Sequence, residues 1–561
     1  MDYQLDKIHH YFKLPIEYLD NKHEIQDSVK NDLELFTTDE NPSIYSFLFD
    51  SDNIYAKNTS NMWCNYYTSD KKFLKDSQKL LKHFKNQEDI IEFQSWEDIK
   101  KETSFMEKYN YIDVPFLKNI NNHSILLQII SIYQFVSPIF ALLYPIIISI
   151  VPFLLLKLQG VPITISQYYN FVQIFLRNSS FYQLFSSFSV SNIRQKIYAL
   201  FSVGFYFFGL YQNVMSCISF YFNMHRINNY IVEMSSYLEN VVKKMDNFIY
   251  YSKNLKSYSP FVENTFKHRN NLQQFLTNVN SITPYSWNYH NLSNMGFSLK
   301  QFYKIYYDES LHESMMYSFG FNGYLQNISD IQNNIQLKYV NFIKFSSKTS
   351  FKNAYYPFFK KSNHVKNSYN ISKKMIISGP NASGKTTMLK TTLFNILLSQ
   401  QTGVGFFKSG TTKLYDHIHC YLNIPDTSDR DSLFQAEARR CKEIINSLQD
   451  NKGNHFCIFD ELYSGTNPYE AVASAYSFIN YLHYYKIDFM LTTHYVELCE
   501  NLDKKSFISN KHMKIDDSGD NIKYLYKLEN GISKYKGGVQ VLKNLDYPKE
   551  LISNTIKYLN K

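Results

Sequence analysis

Glycine is scarce in this chain: there are 17 in 561 residues, and 11 of those lie after residue 370. Left-handed turns depend on glycine, so the turn chemistry of an α/β domain is confined to the C-terminal third, and the remainder is expected to be helical. Cysteine is sparse as well. Cys64, Cys217, Cys420, Cys441, Cys457 and Cys499 stand singly, with no C-x-x-C pair and no histidine at ligand spacing beside them. That pattern excludes a disulfide framework and a zinc ribbon, and it points to a reducing compartment. The opening residues, Met1-Asp2-Tyr3-Gln4-Leu5-Asp6-Lys7, lack the basic start and apolar run of a signal peptide, so the chain is not expected to be secreted by that route.

Charge is missing from two long stretches, Ser124 to Leu156 (33 positions) and Ile197 to Met224 (28 positions). Each exceeds the roughly 18 to 20 apolar residues that mark a membrane span. As a straight helix the first would be about 50 Å long against a hydrocarbon core of about 30 Å, so it must tilt, kink or turn back. Pro138, Pro145 and Pro152 fall inside it, and lipid-embedded helices tolerate such prolines. The expectation is a hydrophobic helical hairpin in the membrane over residues 121–225; the alternative is a wholly buried hairpin of a water-soluble protein. Lys157, Arg177, Arg194 and Lys196 bound or lie in the intervening stretch with no acidic residue among them. Positive charge prefers the cytoplasmic side, but basic residues also flank the runs outside, so either orientation and a re-entrant hairpin stay open.

At 561 residues the chain exceeds one ordinary core, so two or more domains are expected. The net charge of +9 suits a nucleic-acid or anionic-lipid partner, or simply a Lys-rich sequence. Aromatic content of 17% rises alongside Asn, Lys and Ile throughout, and marks no base-stacking platform. Residues 1–120 and 226–350 read as two parts of one all-α core domain that carries the hairpin. Phe73, Leu74, Leu80, Leu81 and Phe84 have helical spacing in the first part, as do Ile231, Met234, Tyr237, Leu238, Val241 and Val242 in the second.

Residues 351–561 carry the chemistry. A short apolar strand, Met375-Ile376-Ile377-Ser378, leads into Gly379-Pro380-Asn381-Ala382-Ser383-Gly384-Lys385-Thr386, which is G-x-x-x-x-G-K-[ST], and a helical pattern follows. The glycines let successive N–H groups face phosphates, and the helix adds the positive end of its dipole. Lys385 supplies a point charge for the β- and γ-phosphates of ATP, and the Thr386 hydroxyl is a Mg²⁺ ligand. A second strand, His455-Phe456-Cys457-Ile458-Phe459, ends at Asp460-Glu461. Asp460 is expected to order Mg²⁺ and its waters, and Glu461 to act as general base on the attacking water. A third strand, Phe489 to Thr493, ends in His494, where a histidine can reach the γ-phosphate or that water. These features predict an α/β P-loop NTPase domain and a Mg-dependent ATPase.

Several motifs together resemble the MutS family. Ser378 through Thr387 is similar to that family's T-G-P-N-M-[GS]-G-K-S-T. Asp460-Glu461-Leu462-Tyr463-Ser464-Gly465-Thr466-Asn467 resembles D-E-x-x-x-G-T-S, and Thr492-Thr493-His494-Tyr495-Val496-Glu497-Leu498 resembles A-T-H-Y-x-E-L. Asp431-Ser432-Leu433-Phe434-Gln435-Ala436-Glu437 is similar to S-x-F-x-x-E, whose serine serves the partner subunit's nucleotide. The likeness implies an ABC-type ATPase of MutS kind that dimerises around two composite ATP sites, with Ser432 and the Gly465-Thr466-Asn467 loop facing the opposite phosphate. His364-Val365 stands where the family has Phe-Ile beside the adenine, and Thr387 completes the phosphate loop. The tail, Tyr526-Lys527-Leu528 through Gly537-Gly538-Val539 and Tyr547-Pro548, is similar to Y-K-L … G-x-x-V-A … L-P. Ile25 to Phe36, with Asn31-Asp32-Leu33-Glu34-Leu35, resembles the start of the family's core helical domain (R-R-N-L-E-L), which leaves no room for mismatch-reading and connector domains. Phe105-Met106-Glu107 copies the family's F-x-E wedge as a tripeptide only, in a polar helical context, and is not read as one. The functional expectation is a dimeric MutS-like ATPase acting on DNA. The alternative is a membrane-tethered, ABC-type mechanochemical ATPase without mismatch recognition, its ATPase domain in the cytoplasm. An ABC transporter is disfavoured by the missing L-S-G-G-Q signature and by having only two apolar runs.

Overall fold

The strand that opens the phosphate-loop motif, Lys374–Ser378, lies inside a six-stranded sheet and is flanked by strands from much later in the chain. Across the sheet the order is Lys523–Asn530, Ile508–Asp516, Lys374–Ser378, Asp488–Thr493, His455–Asp460 and His417–Tyr421. Five of the strands are parallel and only the edge strand Lys523–Asn530 runs antiparallel. Parallel strands are covered on both faces and therefore read as continuous apolar runs. That is how Met375-Ile376-Ile377, Phe456-Cys457-Ile458-Phe459 and Phe489-Met490-Leu491 read, and all are fully buried. The register sets Ser378 beside Thr493 and Asp460 beside Thr492, so three strands end level at their carboxyl edge, where such sheets bind ligands. A smaller mixed sheet of five strands, ordered Asn367–Asn370, Ser350–Ala354, Ser409–Thr412, Asn341–Phe345 and Val404–Gly405, accompanies it.

The computed structural model describes residues 7–36, 42–50, 52–85, 91–93, 95–160, 162, 164–176, 193–282, 292–362, 364–422, 424, 432–516, 523–533, 535, 539, 542–543 and 545–559. Arg177, Asp431 and the Gly537-Gly538 pair lie outside the described residues. The chain divides into two units. One comprises Met1–Ile90, Lys243–Arg269 and Met315–Lys561; the other comprises Ile91–Val242 and Asn270–Ser314. Boundaries at 120, 225 and 350 do not coincide with these units, because the long helices pack against partners far away in sequence.

In the first unit, the helix after the phosphate loop, Lys385–Thr402, is buried along nearly its whole length. Its polar residues are met by carbonyls: Gln400 Nε2 donates to Thr68 O (3.1 Å) and Tyr415 O (2.8 Å), and Gln401 Nε2 to Trp63 O (2.6 Å) and Tyr66 O (2.9 Å). Satisfied polar groups of this kind fix the helix in position rather than merely burying it. The expectation of an all-α core is corrected here. Lys22–Glu24 pairs antiparallel with Tyr66–Thr68, where Tyr and Thr favour extended backbone and Thr68 Oγ1 donates to Asn21 O (2.8 Å). Phe73, Leu74, Leu80 and Leu81 do lie buried on one helix, Lys71–His83.

In the second unit both charge-free runs are helical. The first is a single helix, Ser124–Leu158, which continues through its three prolines. The other begins a 60-residue helix, Ile193–Ser252, which also carries Ile231, Met234, Tyr237, Leu238, Val241 and Val242. Those six side chains are buried. The two runs pair antiparallel: the rings of Phe135 and Phe220 meet edge to face at 5.3 Å, and Tyr206 Oη donates to Ala141 O at 2.9 Å.

Candidate nucleotide site

Gly384 has φ +92° at the start of the Lys385–Thr402 helix, a conformation that L side chains rarely adopt. A Cβ there would also lie 3.1 Å from the Tyr526 ring. Lys385 follows with its side chain buried and folded back over the loop: Nζ donates to Gly379 O (3.0 Å) and Pro380 O (3.1 Å) and lies 3.3 Å from Glu461 Oε1. Thr386 Oγ1 donates to Asp460 Oδ2 at 2.6 Å, and Thr492 Oγ1 holds the other oxygen, Oδ1. A hydroxyl from the first turn of the helix and a carboxylate from the end of a strand thus converge on one spot. This is the small donor set that Mg²⁺ takes from a protein when phosphates and waters complete its octahedron. Among the described residues no cluster of three or more His, Cys, Asp or Glu offers a closed metal cage elsewhere.

Glu461 takes a left-handed φ of 52° just past the strand, and its N–H donates to Thr492 O at 3.1 Å. Its second oxygen lies 3.5 Å from His494 Nδ1. The His494 hydrogen bond, aided by the Lys385 charge, outweighs burial and holds the Glu461 carboxyl below the usual glutamate range. The carboxylate is therefore ionised at neutral pH and is held between a lysine and an imidazole.

A cavity of about 770 Å³ opens over these groups. Asn381, Ala382, Gly384 to Thr387, Asp460 and Glu461 line it together with Tyr355, Phe359, His364, Val365, Asn367, Met513 and Tyr526. His364 Nδ1 donates to Ser362 O at 2.7 Å, which leaves Nε2 as the ring's acceptor; Nε2 is buried with no partner. The His364 ring lies 4.4 Å from that of Tyr355 and 6.2 Å from that of Phe359. Ser383 Oγ, inside the loop, is likewise buried without a partner. An unmatched ring nitrogen and an aromatic wall in a roomy pocket suit a nucleotide.

The structure thus brings the phosphate loop, Asp460, Glu461, His364 and Val365 to one cavity, with His494 against Glu461 from behind. Ser432 stands apart. It is exposed and caps the helix Leu433–Asp450, its Oγ accepting from Gln435 N (3.3 Å) while Gln435 Oε1 accepts from Ser432 N (2.9 Å). One turn on, Glu437 is buried and accepts from Ser464 N (3.0 Å), Ser464 Oγ (2.8 Å) and Gly465 N (3.1 Å). Gly465 presses so closely on this helix start that a Cβ would lie 2.7 Å from Phe434 N. The S-x-F-x-x-E glutamate therefore pins the loop after Asp460-Glu461.

Sequence reasoning missed Thr492, Tyr355, Phe359, Asn367, Met513 and Tyr526. Two left a signal: Thr492, at the end of the strand beside Asp460, and Tyr526, the first residue of the Y-K-L run, both part of motifs that gave them no role at the site. Asn367 is placed by its hydrogen bonds: Nδ2 donates to Tyr526 O (3.0 Å) and Oδ1 accepts from Leu528 N (2.9 Å), clasping the edge strand to the smaller sheet.

Comparison with known proteins agrees with this geometry. A family model described as MutS domain V matches residues 375–561. The DNA mismatch repair protein MutS of Bacteroides thetaiotaomicron is 32% identical over 193 residues, 32% of this chain and 22% of that protein. Its counterpart in Bacteroides fragilis is 30% identical over 196 residues (33% and 22%), and that of Acholeplasma laidlawii 30% over 195 (34% and 22%). The match thus spans about a fifth of the length of these relatives.

Proposed function

Through residues 375–561 the chain belongs to the MutS family, as a domain V, and from that premise we propose that it binds ATP with Mg²⁺ and hydrolyses it to ADP and phosphate. The observation that carries the reading is the meeting of Lys385, the Thr386–Asp460 pair and the His494-backed Glu461 in one cavity with an aromatic wall. The domain acts as a P-loop NTPase. Lys385 leaves the loop carbonyls and Glu461 for the β- and γ-phosphates, because a polyphosphate offers it more negative charge than one carboxylate does. Thr386 and Asp460 would hold Mg²⁺, which would neutralise charge on the phosphates. Glu461, freed from Lys385, orients the attacking water and takes its proton as the bond to the γ-phosphorus forms and the bond to the leaving ADP oxygen breaks. His494 keeps the Glu461 carboxylate aimed.

Ser432 and the Gly465-Thr466-Asn467 loop, exposed or half-buried in one chain, complete the site of a second copy, so the working unit is a dimer closed by ATP. DNA is the partner this reading favours, since the relatives are named for DNA mismatch repair. The test is ATP binding and turnover by the full chain beside Lys385→Ala, with duplexes carrying or lacking a mismatch added over a range of salt. Nucleotide binding lost in the variant supports the reading; equal turnover by both chains overturns it. Duplex binding that weakens steeply with salt supports the DNA role.

A further inference from the structure

The paired charge-free helices of the second unit expose apolar side chains rather than burying them. Among the described residues one segment, Ser124–Leu143, is long and apolar enough to cross a membrane: its mean hydropathy is 1.9 and 11% of it is buried. Leu142 is 58% exposed and Phe205 71%, whereas Met234, farther along the second helix, is fully buried. At 100° per residue the exposed large apolar residues of Ser124–Leu158 cover roughly 220° of its circumference, from Leu142 round to Leu155. A protein groove dries one stripe of a helix. On the second run the exposed large apolar residues, from Val214 round to Phe205, cover roughly 180°. Arcs this wide on two paired helices call for an apolar medium rather than a single groove.

The length of the first run and the ends of both agree; the second, Ile197–Tyr211, is about 22 Å long and enters less deeply. Phe135 to Leu156 is 22 residues whose only polar side chains are Ser137, Tyr144 and Ser149. As a helix it is about 33 Å long, against a hydrocarbon core of about 30 Å. At one end, exposed Tyr133 and Tyr211 stand where polar residues resume, at Gln134 and Gln128 on one helix and at Gln212 and Asn213 on the other. Tyrosine favours that interfacial level. At the other end come Lys157 and Arg194, and residues 157–196 contain no acidic residue. Between these ends the backbone satisfies itself helically, as a bilayer requires.

We propose that Phe135–Leu156 and the antiparallel run Ile197–Tyr211 insert as a hairpin into a phospholipid bilayer, tethering the chain to a membrane with residues 7–123 and 225–561 on the same side. The tether is independent of nucleotide chemistry. The test uses the full chain, synthesised cell-free with vesicles of phosphatidylcholine containing a quarter phosphatidylglycerol. The expected result is flotation with the vesicles that survives a carbonate wash, in wild type and Lys385→Ala alike, so that a failed ATP site leaves the tether standing and the reverse. In Leu142→Trp and Phe205→Trp, lipids brominated in mid-chain should remove about half of the added tryptophan emission. A chain that stays in the dense fraction as a detergent-free oligomer, with no quenching at either position, would overturn the proposal and assign these faces to a second copy.

Discussion

Replacing Glu461 by glutamine keeps the side chain's shape and one carbonyl oxygen but removes the charge that faces Lys385 at 3.3 Å and His494 at 3.5 Å. Two effects of opposite sign follow. Without a base for the attacking water, hydrolysis should fall by about 10² to 10⁴, or roughly 3 to 5 kcal/mol of barrier. ATP binding should instead tighten. Lys385 no longer has to leave a carboxylate, and a partly buried pair of this kind is worth about 1 kcal/mol, or about fivefold in affinity. Gly379 O and Pro380 O still hold the ammonium over the loop, so the cation is in place before the nucleotide arrives. Single-turnover hydrolysis with saturating Mg·ATP, set beside the dissociation constant from competition with a fluorescent analogue, separates the two effects. Hydrolysis within threefold of wild type would refute Glu461 as the base; affinity weakened tenfold would refute the Lys385 exchange.

Four more outcomes are expected. Gly384→Ala places a Cβ at φ +92° beside the Tyr526 ring and should weaken ATP binding at least tenfold while the far-ultraviolet spectrum is unchanged, as titration with the same analogue would reveal. Glu437→Ala strands the N–H groups of Ser464 and Gly465 and should destabilise the domain by about 1 to 3 kcal/mol, seen as a lower melting temperature. His364→Ala removes the ring packed near Tyr355 and Phe359 and should cost several-fold in ATP affinity with little change in the single-turnover rate. Burial first, then the neighbouring His455, His417 and Arg440, push His419 down to about 3, below the ordinary histidine value. An imidazole that resists protonation only when folded leaves stability intact above about pH 6.5 and erodes it as pH falls toward 3, at about 1.4 kcal/mol per unit. Urea unfolding at pH 7.5 and 5.5 should differ by about 1.4 kcal/mol in all, because the window straddles the unfolded value, and His419→Gln should remove that difference.

What could be read in advance follows the range of the interactions. The phosphate loop was legible because its residues are contiguous and each answers a local demand: a left-handed φ at Gly384, a charge at Lys385, a hydroxyl at Thr386. Asp460 and Glu461 were legible because a buried parallel strand is a continuous apolar run, and its end marks the sheet's ligand-binding edge. Tyr355, Phe359 and Asn367 were not, since nothing local in an aromatic-rich sequence distinguishes them, and Asn367 acquires its place by bonding Tyr526 O from far along the chain. The long helix lies between these cases. Its charge-free run and its amphipathic run read as separate elements because their chemistry changes near Met224, yet no glycine or proline occurs from Leu210 to Ser259 to interrupt the backbone. Chemical character sets what surrounds a helix, and breakers set where it ends. Here the two diverge: Ile193–Ser252 carries Phe205 exposed and Met234 buried on one unbroken backbone. Such a helix must pass from one surrounding medium to another along its own length, which is the physical content of the bilayer proposal.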